Sequence, residues 1–221
     1  MNKLSLFCIG ITYVIISSCG ESFKESFQSE EFFEYKEVTI GNQVWMTENL
    51  NVDKFQNGDL IPEVKSKEEW EKAGENKQPA WCYYDNAPFN GKTYGKLYNW
   101  YAVNDIRGLA PKRWHIPSDA EWIKLITYLG TSDAGVKMKS TKRWLQKGYK
   151  NNESGFSGLP SGYRDYDGYF YEIGKKGDWW CTNKDTLDYG FYRCLIYNNL
   201  EVGGFTAYKK AGLSVRCLKN K

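Results

Sequence analysis

The sequence predicts an α+β fold with two main short helices, antiparallel strands and long loops. Three observations carry that expectation. Apolar Trp122, Leu125, Ile126 and Leu129 fall at i, i+3, i+4 and i+7, the single face of an amphipathic helix. From Gly155 onward the chain changes to short runs rich in Tyr, Trp, Val and Ile, broken by Gly, Asp and Asn, which is the composition of strands and turns. A pair of short alternating runs opens the domain, and a closing run, Leu213–Leu218, is suited to pair with them.

The opening element is a hairpin. Val38-Thr39-Ile40 and Gln43-Val44-Trp45-Met46 flank Gly41-Asn42, residues that tolerate the positive φ of a two-residue hairpin turn. Ser66, with Glu69 three positions on, forms a capping box for a short helix through Trp70 and Ala73, ended by Gly74. Ser118 and Glu121, directly after His115-Ile116-Pro117, form a second box, and Gly130 stops that helix. A weaker helical piece runs over Ala134–Ser140 and carries Val136 and Met138. Strands are expected at Gly155–Arg164, Tyr169–Ile173, Asp178–Thr182, Gly190–Tyr197 and Leu213–Leu218, with Asp167-Gly168 as a tight turn.

Ahead of the domain stands a leader. Lys3 precedes an apolar run, Leu4–Ile16, and then Ile16-Ser17-Ser18-Cys19 resembles the lipobox cut by lipoprotein signal peptidase. The run is well short of the ~20 residues that a spanning helix needs. The expected organisation is a signal peptide over residues 1–18, a polar, flexible tether over 19–37 and one domain over 38–221, with Cys19 acylated. The protein would then be lipid-anchored in the cell envelope. Gly20 supplies no aspartate retention signal, which favours the outer membrane.

Composition narrows the partners. The formal net charge is +3, and Lys3 leaves with the leader, so no electrostatic pull toward nucleic acid is implied. The excess is aromatic, with 9 Trp, 17 Tyr and 11 Phe, rings that suit half-buried sheets and contact surfaces alike. Cys8 belongs to the leader and Cys19 to the anchor, so Cys82, Cys181, Cys194 and Cys217 remain. An even set in an oxidising compartment reads as two disulfides, with three pairings open. No Cys or His spacing suits zinc, so neither a metal nor a cofactor is expected.

Five collinear blocks resemble one family. They are Val38 to Leu50 (Val-Thr-Ile-Gly-Asn-Gln-Val-Trp-Met-Thr-Glu-Asn-Leu), Tyr94 to Ala102, Ala110 to Trp122, Ser154 to Arg164 (Ser-Gly-Phe-Ser-Gly-Leu-Pro-Ser-Gly-Tyr-Arg) and Gly212 to Cys217. Together they look like the Fibrobacter succinogenes major paralogous domain, found in surface and secreted bacterial proteins. The resemblance implies a C-type-lectin-like fold and no established activity. It also implies a bridge from the first half to the last strand, Cys82–Cys217, which leaves Cys181 with Cys194.

Candidate chemistry is sparse. Gly91-Lys92-Thr93 has the end of a phosphate loop, but Asn86 stands where the loop's first glycine belongs and Pro88 interrupts it. Asp165-Tyr166-Asp167-Gly168 resembles the start of a calcium loop, yet Lys176 stands where the bidentate Glu should be. The sugar-binding calcium motifs of lectins are incomplete in Gln78-Pro79-Ala80 and Tyr197-Asn198-Asn199. His115, the one histidine, reads as a structural hydrogen bonder, since no second histidine shares acid and base roles. No catalytic residue is assigned. The candidate ligand-binding set is Asp165, Tyr166, Asp167, Tyr169 and Trp179, rings and carboxylates suited to stacking on sugars and bonding their hydroxyls. The expected function is a non-catalytic envelope module that binds glycans or partner proteins. The alternative is a formylglycine-generating-like enzyme on the same fold, which free thiols would favour.

Overall fold

The computed structural model describes residues 35–145 and 149–221, the side chains of residues 183–185 excepted. The leader, Cys19 and all of the tether up to residue 34 lie outside the described residues. Strands β1 (Glu37–Ile40) and β2 (Gln43–Met46) make the expected hairpin, with Ile40 opposite Gln43 and Gly41 at φ 62°. The Tyr128 ring lies so close that a Cβ on Gly41 would sit 3.0 Å from it, so backbone angle and packing both require glycine here.

Helix α1 (Lys67–Glu75) starts at the first capping box. Ser66 Oγ accepts from Glu69 N at 3.1 Å, and the Glu69 carboxylate accepts from Ser66 N at 3.4 Å. Next come β3 (Trp81–Cys82), α2 (Pro88–Tyr94), β4 (Leu97–Asn99), α3 (Trp100–Val103) and β5 (Trp114–His115). Helices α2 and α3 are too short to carry an apolar period. Pro88 sets the start of α2, and Asn99 Oδ1 caps α3 by accepting from Ala102 N at 3.0 Å. The second box opens α4 (Asp119–Leu129), which buries Trp122, Leu125 and Ile126 and stops at Gly130, φ 93°. Helix α5 (Ala134–Met138) ends earlier than expected because Lys139 turns extended and bridges to Gly158.

The later half is strand and loop. Strands β6 (Tyr163–Arg164) and β7 (Phe170–Tyr171) form a hairpin around Asp167-Gly168. The three long strands β8 (Lys176–Asp185), β9 (Tyr189–Ile196) and β10 (Val202–Tyr208) make an antiparallel sheet in the order β10-β9-β8. The sequence hides β10 because Gly203-Gly204 dilutes its β-formers; the Phe205 ring and the Arg193 side chain occupy the space that Cβ atoms would fill. Most of Gly155–Arg164 is irregular, since Gly155, Ser157 and Gly162 all have positive φ. The closing run divides into β11 (Gly212–Leu213) and β12 (Leu218–Lys219), which join different sheets. One has the order β3-β4-β11-β6-β7 and the other β1-β2-β12-β5, so the last strand does pair with the opening hairpin, Leu218 opposite Trp45.

The described chain is therefore mixed α and β, with mostly antiparallel strands in small curled sheets and few helices. Both faces of β8 are covered. Trp179 joins Trp45, Trp122 and Phe156 in one core cluster, with Trp45–Trp122 centroids 4.9 Å apart, and Trp180 packs against Trp100 in another at 5.3 Å.

The expected disulfides are not made: all four cysteines are buried free thiols. Strand alternation accounts for this. Cys194 directly opposes Asp178 in the β8–β9 register, whereas Cys181, an odd number of positions along, packs with Trp179 on the other face. Cys82 opposes Leu97 and packs with it, while Trp81 and Tyr98 line the other face, in the cluster that holds Cys217. Burial pushes the Cys82 and Cys217 thiols up to about 12.

Candidate functional site

The β6–β7 hairpin is held from beneath by one buried cation. Arg164 Nε donates to Gly168 O at 3.0 Å, and its two terminal nitrogens donate to Val64 O, Lys65 O and Ser66 O at 2.8–3.0 Å. The guanidinium stacks between Trp70 and Phe170, 4.5 and 4.9 Å from their ring centroids. The hairpin tip is thereby tied to the start of α1.

On this mount stand most of the candidate ligand-binding residues. Tyr166 and Tyr169 are 48% and 54% exposed. Lys67 sits 4.4 Å over the Tyr169 ring, and its ammonium donates to the phenol oxygen at 3.4 Å. The two carboxylates shape the turn. Asp165 accepts from Tyr166 N at 2.7 Å, and Asp167 accepts from Tyr169 N at 3.0 Å and from Tyr171 Oη at 2.9 Å. Partial burial raises the Asp165 carboxyl, with the nearby Asp167 charge adding to it. Both oxygens of Asp167 are already engaged, so the tight-turn reading describes these acids better than a ligand-bonding one.

Trp179 is a correction. It is fully buried in the core cluster, and its indole N–H donates to Asn49 Oδ1 at 2.8 Å. Sequence alternation suggests that one face of this strand meets solvent, but β8 is covered on both faces, Trp179 entering one core cluster and Trp180 another.

In its place the structure adds two rings. Tyr208 and Tyr189 are directly opposed across β10 and β9, with centroids 4.5 Å apart, and Tyr166 meets Tyr208 edge-on at 4.7 Å. Both added rings are exposed, so Tyr166, Tyr208 and Tyr189 form a continuous run, with Tyr169 on the same hairpin. The sequence signal for the pair lies in β10, whose glycines conceal it. The adjoining Tyr208 phenol raises that of Tyr189.

His115 stands elsewhere, between Asn220 Oδ1 at 2.7 Å and Glu121 Oε1 at 3.0 Å, tying β5 to α4 and the C-terminus. Gly91-Lys92-Thr93 lies in the last turns of α2, where outward carbonyls rather than amides are available, so it forms no phosphate cradle. Among the described residues, no three His, Cys, Asp or Glu side chains converge as a metal site, and no helix is long and apolar enough to cross a membrane.

The Fibrobacter succinogenes major domain (Fib_succ_major) matches residues 38–219, nearly the whole described chain. The chain belongs to this family. No curated protein and no solved structure matches it. As a Fibrobacter succinogenes major domain, the chain keeps the five sequence blocks at structurally telling places. The first forms the opening hairpin, the third runs into the α4 cap, and the last passes between two sheets. Asn49 of the first block and Arg216 of the last meet directly, Arg216 donating to Asn49 Oδ1 from Nε at 3.1 Å and from a terminal nitrogen at 2.7 Å.

Proposed function

We propose that this protein is a non-catalytic binding module of the cell envelope, lectin-like in fold and anchored through acylated Cys19 at the outer membrane, that stacks neutral glycan rings on its tyrosine shelf. The observation that carries the reading is the run of exposed rings Tyr166, Tyr208 and Tyr189, packed on one another rather than loose, the first pair edge-on and the second tilted. Tyrosine offers an apolar face to a sugar and a hydroxyl to its rim. Rings already packed on one another lose little conformational freedom when a ligand arrives. The lectin-like reading draws on the pairing of the last strand with the opening hairpin and on the long loops between short elements.

Free thiols would favour a formylglycine-generating-like enzyme, but these thiols point the other way. Cys181 and Cys194 lie on opposite faces of the β8–β9 ribbon, and burial raises Cys82, Cys194 and Cys217, the reverse of an activated thiolate.

The test is binding of the full chain to immobilised neutral oligosaccharides, with Tyr208→Ala and Tyr166→Ala beside wild type. We expect each variant to lose at least tenfold in affinity while its melting temperature stays within a few degrees. Unchanged glycan binding by both folded variants would sink the reading, and so would binding confined to envelope proteins.

A further inference from the structure

A cleft of about 380 Å³ lies apart from the exposed tyrosines, none of which lines it. That volume is within the ~300–1,000 Å³ range of small-molecule sites. Its lining comes from separate stretches of chain: Thr47 to Asn51 after β2, the last turns of α2, and the segments around Ser140 to Arg143 and Ser157 to Leu159. It holds no aromatic ring, so stacking is not its mode.

Its charge is one-sided. Lys92, Lys142 and Arg143 line it, and among the described residues no carboxylate pairs with any of the three. The one acidic residue in the lining, Glu48, is already engaged by Lys36 at 2.7 Å. Two more cations stand behind the floor. Arg216, 1% exposed, gives all its hydrogen bonds to neutral oxygens: Asn49 Oδ1, Met46 O and Phe156 O. Lys96, 4% exposed, donates to Asn51 O at 3.1 Å. Asn49 and Asn51 therefore form a floor backed by two buried cations, neither of which makes a direct ion pair with a carboxylate among the described residues. In a cleft with low-dielectric walls, such charges act together on an incoming anion. Arg143 and Ser157 are also held at φ 74° and 56°, a backbone cost that non-glycine residues bear at few places.

We propose that this cleft is an anion-binding site for a carboxylate borne on a polyol, a sugar acid, with Lys92, Lys142 and Arg143 meeting the oxyanion and Thr47, Asn51, Thr93 and Ser140 available to the hydroxyls. The site is separate from the tyrosine shelf and stands whether or not the shelf binds glycan.

Calorimetric titration of the full chain with sodium glucuronate, glucose and inorganic phosphate, at one ionic strength, tests it. We expect glucuronate to bind, glucose not to bind, and affinity to fall as NaCl is raised. Arg143→Glu and, from a different element, Lys92→Glu should each weaken glucuronate at least tenfold with an unchanged melting temperature, while Tyr208→Ala binds glucuronate as wild type does. Glucose binding as tightly as glucuronate, no binding of glucuronate, or unaltered affinity in both folded charge variants overturns the site. Phosphate binding as tightly as glucuronate overturns the sugar assignment.

Discussion

Asp178 illustrates how one buried side chain sets a pH dependence. Its carboxyl is 1% exposed, Oδ1 has no hydrogen-bond partner, and burial raises it to about 7, against partial relief from Lys176 and from the Cys194 thiol. The folded protein thus keeps a proton that the unfolded chain gives up near pH 4. Between those values unfolding releases a proton, so this group's contribution to stability falls as pH rises from about 4 to about 7 and is level above. Asp178→Asn should remove that slope. Denaturant titrations should find the variant gaining on wild type between pH 4 and pH 8, with a ceiling of about 4 kcal/mol from a shift of about three units; equal differences at both pH values would refute the assignment. Trp179 gives the complementary case. Its indole fills the space among Trp122, Phe156 and Asn49, so Trp179→Ala should cost about 3–5 kcal/mol. Exposed Tyr166→Ala, by contrast, should stay within about 0.5 kcal/mol. The same residue type, read as a ring in a strand, means different things on a covered and an open face.

At the scale of elements, what is local in cause is legible in sequence. Both capping boxes, the Gly41-Asn42 turn and the Asp167-Gly168 turn form where their residues stand, because each needs only three or four neighbours. Strand β8 is not legible in the same way. Alternation fixes which side chains share a face but not whether a second layer covers the other face, and here Trp179 and Trp180 enter two different clusters. The tyrosine shelf was half legible for a related reason: Tyr166 and Tyr169 sit on a recognisable hairpin, whereas Tyr189 and Tyr208 meet them only through tertiary packing. The β6–β7 hairpin depends on Arg164, whose fork satisfies four carbonyls at once. Lysine keeps the charge but cannot reproduce the planar fork. Arg164→Lys should therefore cost about 2–4 kcal/mol, since at least two charge-assisted bonds are lost. It should also weaken glycan binding through the displaced Tyr166, which a melt and a binding titration on the same sample would resolve. Full stability in that variant would remove Arg164 as the mount.

Over the whole molecule, distant segments of chain are brought together at every important place. The last strand lies between β2 and β5, Arg216 reaches Asn49 and Met46, and the basic cleft draws on several separate stretches. The cleft was not legible in the sequence, because its cations are unremarkable singly and only the fold collects them. The cysteines show the converse error. Their even number and the expectation of export suggested bridges, but pairing depends on which face each strand turns inward, and the four sulfurs go to three separate clusters and to the Asp178 side of β9. This distribution makes them a probe of cooperativity. With every thiol buried, none can meet a reagent until the packing around it opens. If the domain unfolds as one unit, labelling of Cys82, Cys181, Cys194 and Cys217 by a thiol reagent, followed by peptide mapping, should proceed at a single rate. All four should label fully in guanidinium without reductant. A thiol that labels faster than the others would mark a cluster that opens on its own. Labelling in denaturant that requires reductant would mean that the protein carries disulfides, and the strand faces assigned to these cysteines would have to change.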